Sequence, residues 1–315
     1  MVLGLDEAVG PGQRESFPLG KQPTNLGQNP RSAPETEPLA TNSTSTGHEA
    51  SDPGWLDLHF ESSRPEYEQA LREIGIQPGW AVLDAGCGGG SFLPVLRDLV
   101  GPGGTIDVID LAPENIARVK GWILGVGQEP TIRAQTGNVL ELPFIDASFD
   151  CVWSANVMQY LTPSEFAQAV REACRVLKPG GTLAIKDFDS TLLHILPIDR
   201  GVLSRFMTIR LQAFRDKGVL GTDCGSTLPA RLRDAGVTPL WRKSWLVERW
   251  APVSSFTRAY VADLLAYFAS VSTTYDLSQA DRSYWQRLGQ NPCELLDQPD
   301  FCYRELFVLT VCRMT

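Results

Sequence analysis

From residue 80 to residue 189 the chain alternates short apolar runs with longer stretches of helical periodicity, and this rhythm restricts the fold more than any other feature. "AVLDAG" reads as a buried strand, and "SFLPVLRDLVG" as a helix closed by Gly101. "GTIDVID" and "APENIARVKGWILGVG" repeat the strand and the helix. "TIRAQTGNV" and "FDCVWSANV" read as the third and fourth strands. "TPSEFAQAVREACRVLKPGG" is a helix opened by the Thr162 cap and Pro163 and ended at its glycines. Its residues Phe166, Ala169, Val170, Ala173, Val176 and Leu177 share one face. "TLAIKDFD" is the fifth strand. Strands that alternate with helices of this length form βαβ units, so the expected class is α/β, with helices on both faces of a mostly parallel sheet. Such sheets bind ligands beyond the carboxyl ends of their strands.

One of those ends is "VLDAGCGGGS", with four glycines among residues 86–90. Backbone stripped of side chains suits close approach by something else. A dinucleotide fingerprint, GxGxxG, would need a glycine where Ser91 stands, and a phosphate-binding P-loop would need a Lys that is absent. What remains is Gly86, Gly88 and Gly90 at intervals of two, with Asp84 two residues ahead of them.

That arrangement resembles motif I, D/E-x-G-x-G-x-G, of the class I S-adenosylmethionine-dependent methyltransferases. Three ordered companions carry the resemblance further. "TIDVIDLAPENIARV" ends a strand on Asp110 and continues with apolar Leu111. "GNVLELPFIDASFDCVW" is similar to the family's G-D-A-x-x-L-P-F-x-D-x-S-F-D segment, with Asn138 in place of the usual Asp. "RVLKPGGTL" is similar to its turn into the fifth strand. The branch most resembled makes small molecules, as in ubiquinone and menaquinone biosynthesis (methyltransferase type 11). The resemblance implies a Rossmann-like seven-stranded, mostly parallel sheet with an antiparallel last strand, and S-adenosyl-L-methionine as cofactor. It implies cofactor contacts from Asp84, Gly86, Cys87, Gly88 and Gly90 in the first loop. Asp110 would take the ribose hydroxyls, Leu111 would wall the adenine, and Asn138 and Val139 would meet its ring edge. Ser154, Asn156 and Gln159 would flank the methionine portion.

The family has no universal catalytic residue, because the sulfonium is already an excellent leaving centre and alignment does most of the work. Tyr160 and His194 are the candidates for acid–base work, each with a packing role as its alternative. His59 lies in the N-terminal helical segment, which in this family can close over the cofactor, and the same alternative applies to it. Lys186, Asp187 and Asp189 end the fifth strand, where they point into the cleft or into solvent.

Outside this stretch, residues 1–52 are rich in Pro, Ser, Thr and Gly and poor in large apolar side chains, which reads as a disordered tail. The methyltransferase domain is then 53–315, with a helical lid at 53–78, where Pro65 reads as an early helix residue. Helical cap insertions are expected at 190–225 and 250–303, the second rich in aromatics. "RELFVLTVCRM" resembles the family's last, antiparallel edge strand. A net charge of -9 argues against general nucleic-acid binding, and no stretch is long and apolar enough to span a membrane. Seven cysteines without a CxxC pair read as reduced, mostly buried thiols, with no metal site, in a cytoplasmic protein without a signal peptide. The expected function is methyl transfer to a small, partly apolar or aromatic acceptor by in-line displacement. A non-catalytic regulatory module of the same fold and an aminopropyl transferase are the alternatives, and nothing in the sequence sets an oligomeric state.

Overall fold

The computed structural model describes residue 45, residues 52–127 and residues 129–314. Apart from residues 45 and 52, the expected tail lies outside these. The first helix, α1 (Pro53–Glu73), starts at a complete signal: Asp52 accepts hydrogen bonds from the Gly54 and Trp55 N–H groups, and Pro53 occupies the first turn. Pro65 therefore falls inside α1 rather than near its start. The turns ahead of it are held by burial of Trp55 and Phe60, which outweighs the hydrogen bond that a proline forfeits.

Regular alternation follows: β1 (Ala81–Ala85), α2 (Leu93–Val100), β2 (Thr105–Asp110), α3 (Pro113–Gly125), β3 (Thr131–Thr136) and β4 (Phe149–Ala155). Next comes α4 (Pro163–Val176), opened by a reciprocal capping box between Thr162 and Glu165. It stops at Val176, ahead of the glycines, and the chain passes straight into β5 (Leu177–Leu196). The remaining elements are α5 (Arg200–Asp216), α6 (Cys224–Asp234), β6 (Pro239–Trp250), α7 (Ser255–Ser272), α8 (Gln279–Gln290), α9 (Cys293–Leu296) and β7 (Cys302–Arg313).

The sheet has seven strands in the order β3-β2-β1-β4-β5-β7-β6. The pairs from β3 to β5 are parallel, and β7 runs antiparallel to both β5 and β6. The last strand is thus antiparallel as expected, but it is not an edge. β7 is buried along nearly its whole length, whereas β6, which does form the edge, carries mostly exposed or half-buried residues. An unbroken apolar run suits a strand covered on both faces, and that reading of "LFVLTVC" explains its interior position.

β5 is also longer than expected. After an irregularity between Asp189 and His194 it pairs again with β7 through Leu196. The first insertion therefore begins as strand and becomes helical only at Arg200. The extended ends of β5 and β7 reach into a second core. One core lies beneath the sheet, where α4 and α6 bury Phe166, Val170 and Leu228. The other gathers Phe206 of α5, Leu265 and Phe268 of α7 and Trp285 of α8 around Ile195 of β5 and Tyr303 of β7. No described helix is long and apolar enough to cross a membrane. All seven cysteines are free thiols, and five of them are buried.

Candidate functional site

β1 pairs with β2 on one side and β4 on the other, so connections leave it in opposite directions and a crevice opens beyond its carboxyl end. A cavity of ≈ 240 Å³ occupies that place. One water needs roughly 10–15 Å³ on the same measure, so the space is ligand-sized.

The polar end of the cavity is the glycine loop. Gly86 has φ +82° and Gly88 φ +54°, both in the left-handed region. A Cβ at Gly86 would overlap Val157 Cγ2, and one at Gly88 would sit 2.6 Å from Leu56 Cδ1 of α1. The glycines thus admit the chain's own α1 and the turn after β4 as well as a ligand. Asp110 ends β2 on the cavity wall. Its Oδ2 accepts from Gly88 N–H at 2.9 Å, and its Oδ1 accepts from Ala112 N–H at 2.9 Å and Asn115 Nδ2 at 3.0 Å. One carboxylate therefore ties the loop to the start of α3.

Of the residues expected at the cofactor, Gly86, Cys87, Gly88, Asp110, Leu111, Asn138, Val139, Asn156 and Gln159 line the cavity, as does the catalytic candidate Tyr160. Burial, with the charges of Asp84 and Asp110, pushes the Cys87 thiol well up. Asn138 Oδ1 accepts from its own turn at Leu140 N–H, 3.0 Å away. Arg175 clamps the rest of that loop by donating to the Leu142 and Phe144 carbonyls, so much of the "LELPF" segment is held structurally. Asn156 adopts φ +59°, rare for a residue other than glycine and a frequent mark of a functional turn.

Four expected residues lie off the wall. Ser154 is turned between strands, donating to the Ala85 carbonyl at 2.8 Å. Gly90 sits behind the loop, where its N–H closes a turn onto the Cys87 carbonyl. Asp84 lies under the loop at 1% exposure, with Oδ2 lacking any hydrogen-bond partner among the described residues. Burial and the nearby Asp110 charge push its carboxyl up to about 8. His194 faces a separate hollow with Arg200 and Thr208, because the irregularity in β5 carries it past the cavity. This removes His194 from the acid–base candidates. Asp187 and Asp189 also lie off the wall. Asp187 points to the opposite sheet face and accepts from Met158 N–H, and Asp189 accepts from Thr191 N–H.

The opposite end of the cavity is aromatic. Trp55 comes from α1, Phe214 from α5, and Tyr260 and Tyr267 from α7, whereas Phe60 of α1 packs on Phe92, two residues beyond the glycine loop. Arg210 of α5 joins them, its guanidinium lying over the Phe214 and Tyr267 rings. Between the two ends runs a buried polar cluster. Glu305 of β7, fully buried, faces His59 Nε2 at 2.8 and 3.1 Å and accepts from Ser63 Oγ at 3.0 Å and Tyr303 O–H at 2.5 Å. Lys186 Nζ donates to Asn156 Oδ1 at 2.8 Å and Tyr67 Oη at 2.9 Å, and lies 4.0 Å from the Tyr67 ring centre. Burial brings the Lys186 ammonium down to about 8 against the pull of Glu305 and Asp187. Sequence reasoning passed over Glu305. Its signal was a single carboxylate inside an apolar strand, a group that folds only if it is paired.

The site fits an adenosyl sulfonium amino acid. The loop offers backbone bare of side chains at Gly86 and Gly88, and Asp110 presents a carboxylate on the same wall. Asp84 lies beneath the loop with one carboxyl oxygen unpartnered among the described residues.

Residues 83–185 match the family model described as a methyltransferase domain. The chain is 28% identical over 185 residues to 27-O-demethylrifamycin SV methyltransferase of Amycolatopsis mediterranei, covering 59% of this chain and 61% of that protein. It is 35% identical over 147 residues to demethylmenaquinone methyltransferase of Staphylococcus aureus, covering 44% of this chain and 55% of that protein. Matches to these and similar curated relatives span between 37% and 61% of the relatives' own length. Among solved structures, the YcgJ protein of Bacillus subtilis superposes with a TM-score of 0.51 at 20% identity, over 79% of this chain and 98% of that one. A Bacillus halodurans protein described as a methyltransferase gives 0.50 at 17% identity, over 78% and 98%. Both share the fold.

Proposed function

We propose that this chain, whose residues 83–185 match a methyltransferase domain, is a class I S-adenosylmethionine-dependent enzyme that transfers a methyl group to a small, partly apolar or aromatic acceptor by in-line displacement. The observation that supports this most is a single cavity with the glycine loop and Asp110 at one end and an aromatic chamber at the other. When bound, the cofactor supplies an activated methyl group on sulfur. The chain's own residues then have three tasks.

The loop Gly86–Gly88, Asp110, Leu111 and Val139 would hold the adenosyl part, and Asn156 and Gln159 would flank the amino-acid part. Phe214, Tyr260 and Tyr267 would orient the acceptor face and keep water out, since orientation alone contributes on the order of 7–11 kcal/mol. α1 would act as the lid, as part of residues 53–78. Asp57 on it accepts from Ser91 Oγ beside the glycine loop at 3.0 Å and pairs with Arg118 of α3. The helices of 190–225 and 250–303 would form the cap.

Calorimetry with S-adenosylhomocysteine tests the cofactor half. The wild-type chain is expected to bind it. Asp110→Ala, which deletes a charge-assisted acceptor, and Gly88→Val, which forces a side chain into the loop against Leu56, are checked for folding by circular dichroism and are expected to weaken binding by about tenfold or more. Unchanged affinity in both variants, or no binding by the wild type, overturns the reading. Binding without turnover over a broad panel of phenols, quinols, amines and lipids would instead favour a regulatory module.

A further inference from the structure

α1 brings to the cavity a group that cofactor binding leaves unused. Building on the methyl-transfer reading, we propose that His59 is the proton-accepting residue of this site, positioned by Glu305. The acceptor it serves is then a hydroxyl compound, a phenol or hydroquinone, rather than a thiolate or carboxylate already ionised at neutral pH.

The geometry is that of an imidazole oriented by a buried carboxylate. Nε2 faces both Glu305 oxygens, at 2.8 and 3.1 Å. Burial works to raise the Glu305 carboxyl, but His59, the Tyr303 hydroxyl and Lys186 outweigh it and hold the group at about 2. An ionised carboxylate only accepts, so Nε2 is the nitrogen that carries the hydrogen facing Glu305, and in the neutral tautomer the lone pair is then left on Nδ1. Nδ1 has no hydrogen-bond partner among the described residues and is not sealed from solvent, and His59 lines the cavity. Its ring is fixed by stacking on Tyr260, with centroids 4.7 Å apart and planes 7° apart. Leu56, which touches the glycine loop, is three residues earlier, about 4.5 Å along the helix axis. His59 thus stands between the loop and the aromatic chamber, where an acceptor would meet the methyl group.

The titratable groups around the ring are Tyr67 on α1, Glu305 and Tyr303 on β7, Tyr260 on α7 and, through Tyr67, Lys186 on β5. Burial pushes all three tyrosines well up, so they stay neutral. In the step itself the acceptor O–H bond breaks, its proton goes to Nδ1 and its electron pair stays on oxygen. That oxygen bonds to the methyl carbon of S-adenosylmethionine as the carbon–sulfur bond breaks with its pair left on sulfur. The proton then passes from Nδ1 to solvent.

The test uses the full chain, S-adenosylhomocysteine for binding, and S-adenosylmethionine with hydroquinones and phenols of graded acidity for turnover. His59→Gln should keep its affinity for S-adenosylhomocysteine within about twofold and lose about 10²–10⁴-fold in kcat on weakly acidic phenols, with KM little changed. The loss should shrink on 4-nitrophenol, which ionises without help, and the rise of kcat with pH should flatten. Added imidazole should restore part of the activity of His59→Gly. Independently of turnover, nitrogen-15 NMR of the three histidines should find His59 protonated on Nε2, and mixed between tautomers in Glu305→Gln. His194→Gln, outside the cavity, should change neither readout. An Nδ1-protonated His59, equal losses on strongly and weakly acidic phenols, or failure of imidazole to rescue a folded variant overturns the proposal. So does a wild type that binds S-adenosylhomocysteine yet methylates no hydroxyl acceptor. A wild type that does not bind S-adenosylhomocysteine removes the methyl-transfer reading itself, and this proposal with it.

Discussion

Asp84 shows how a residue type can be legible while its state is not. Its place ahead of the glycines reads from the sequence, but its lack of a partner is a matter of packing under the loop. With its carboxyl pushed up to about 8 by burial and Asp110, the folded value lies above the unfolded one. From about pH 4 to pH 8 the folded chain therefore keeps a proton that the unfolded chain has released, and stability falls as pH rises. Asp84→Asn removes that titration. The melting temperature of wild type relative to Asp84→Asn is expected to decline across this window, and a constant offset between them counts against the assignment. Asn138 and Val139 are similarly legible by position, yet the Asn138 amide oxygen is engaged by its own turn, which only backbone geometry decides.

At the scale of elements, the strands and helices between residues 80 and 176 follow from periodicity and caps, because local signals set them. α1 and the tail of β5 depart from that logic, being held by what they pack against. The helical layer makes the point energetically. Trp285 of α8 is fully buried, 4.6 Å from the Phe206 ring of α5 and 5.5 Å from Phe268 of α7. Its indole N–H has no partner among the described residues. Trp285→Ala should cost about 3–5 kcal/mol in urea unfolding. Trp285→Phe, which keeps a ring and deletes the orphaned donor, should cost roughly half as much or less. Equal losses in the two variants would mean that ring packing is not what holds α5, α7 and α8 together.

For the whole molecule, the last strand joins everything. β7 lies between β5 and β6, carries Glu305 into the site and contributes Tyr303 to the second core. Without residues 302–315, β5 and β6 would face each other unpaired and the His59 cluster would lose its anion. Such a truncated chain is expected to lack a cooperative thermal transition, whereas native-like melting would show that the first five strands stand alone. The sheet class, the glycine loop, the place of Asp110 at the end of β2 and the resemblance to S-adenosylmethionine-dependent methyltransferases could be read from the amino-acid order, because each rests on residues close together in the chain. The interior place of β7, the exclusion of Asp84, Ser154 and His194 from the wall, and the meeting of His59 with Glu305 could not. Those two residues stand 246 positions apart, and only the crossing of α1 over β7 brings the imidazole to its carboxylate.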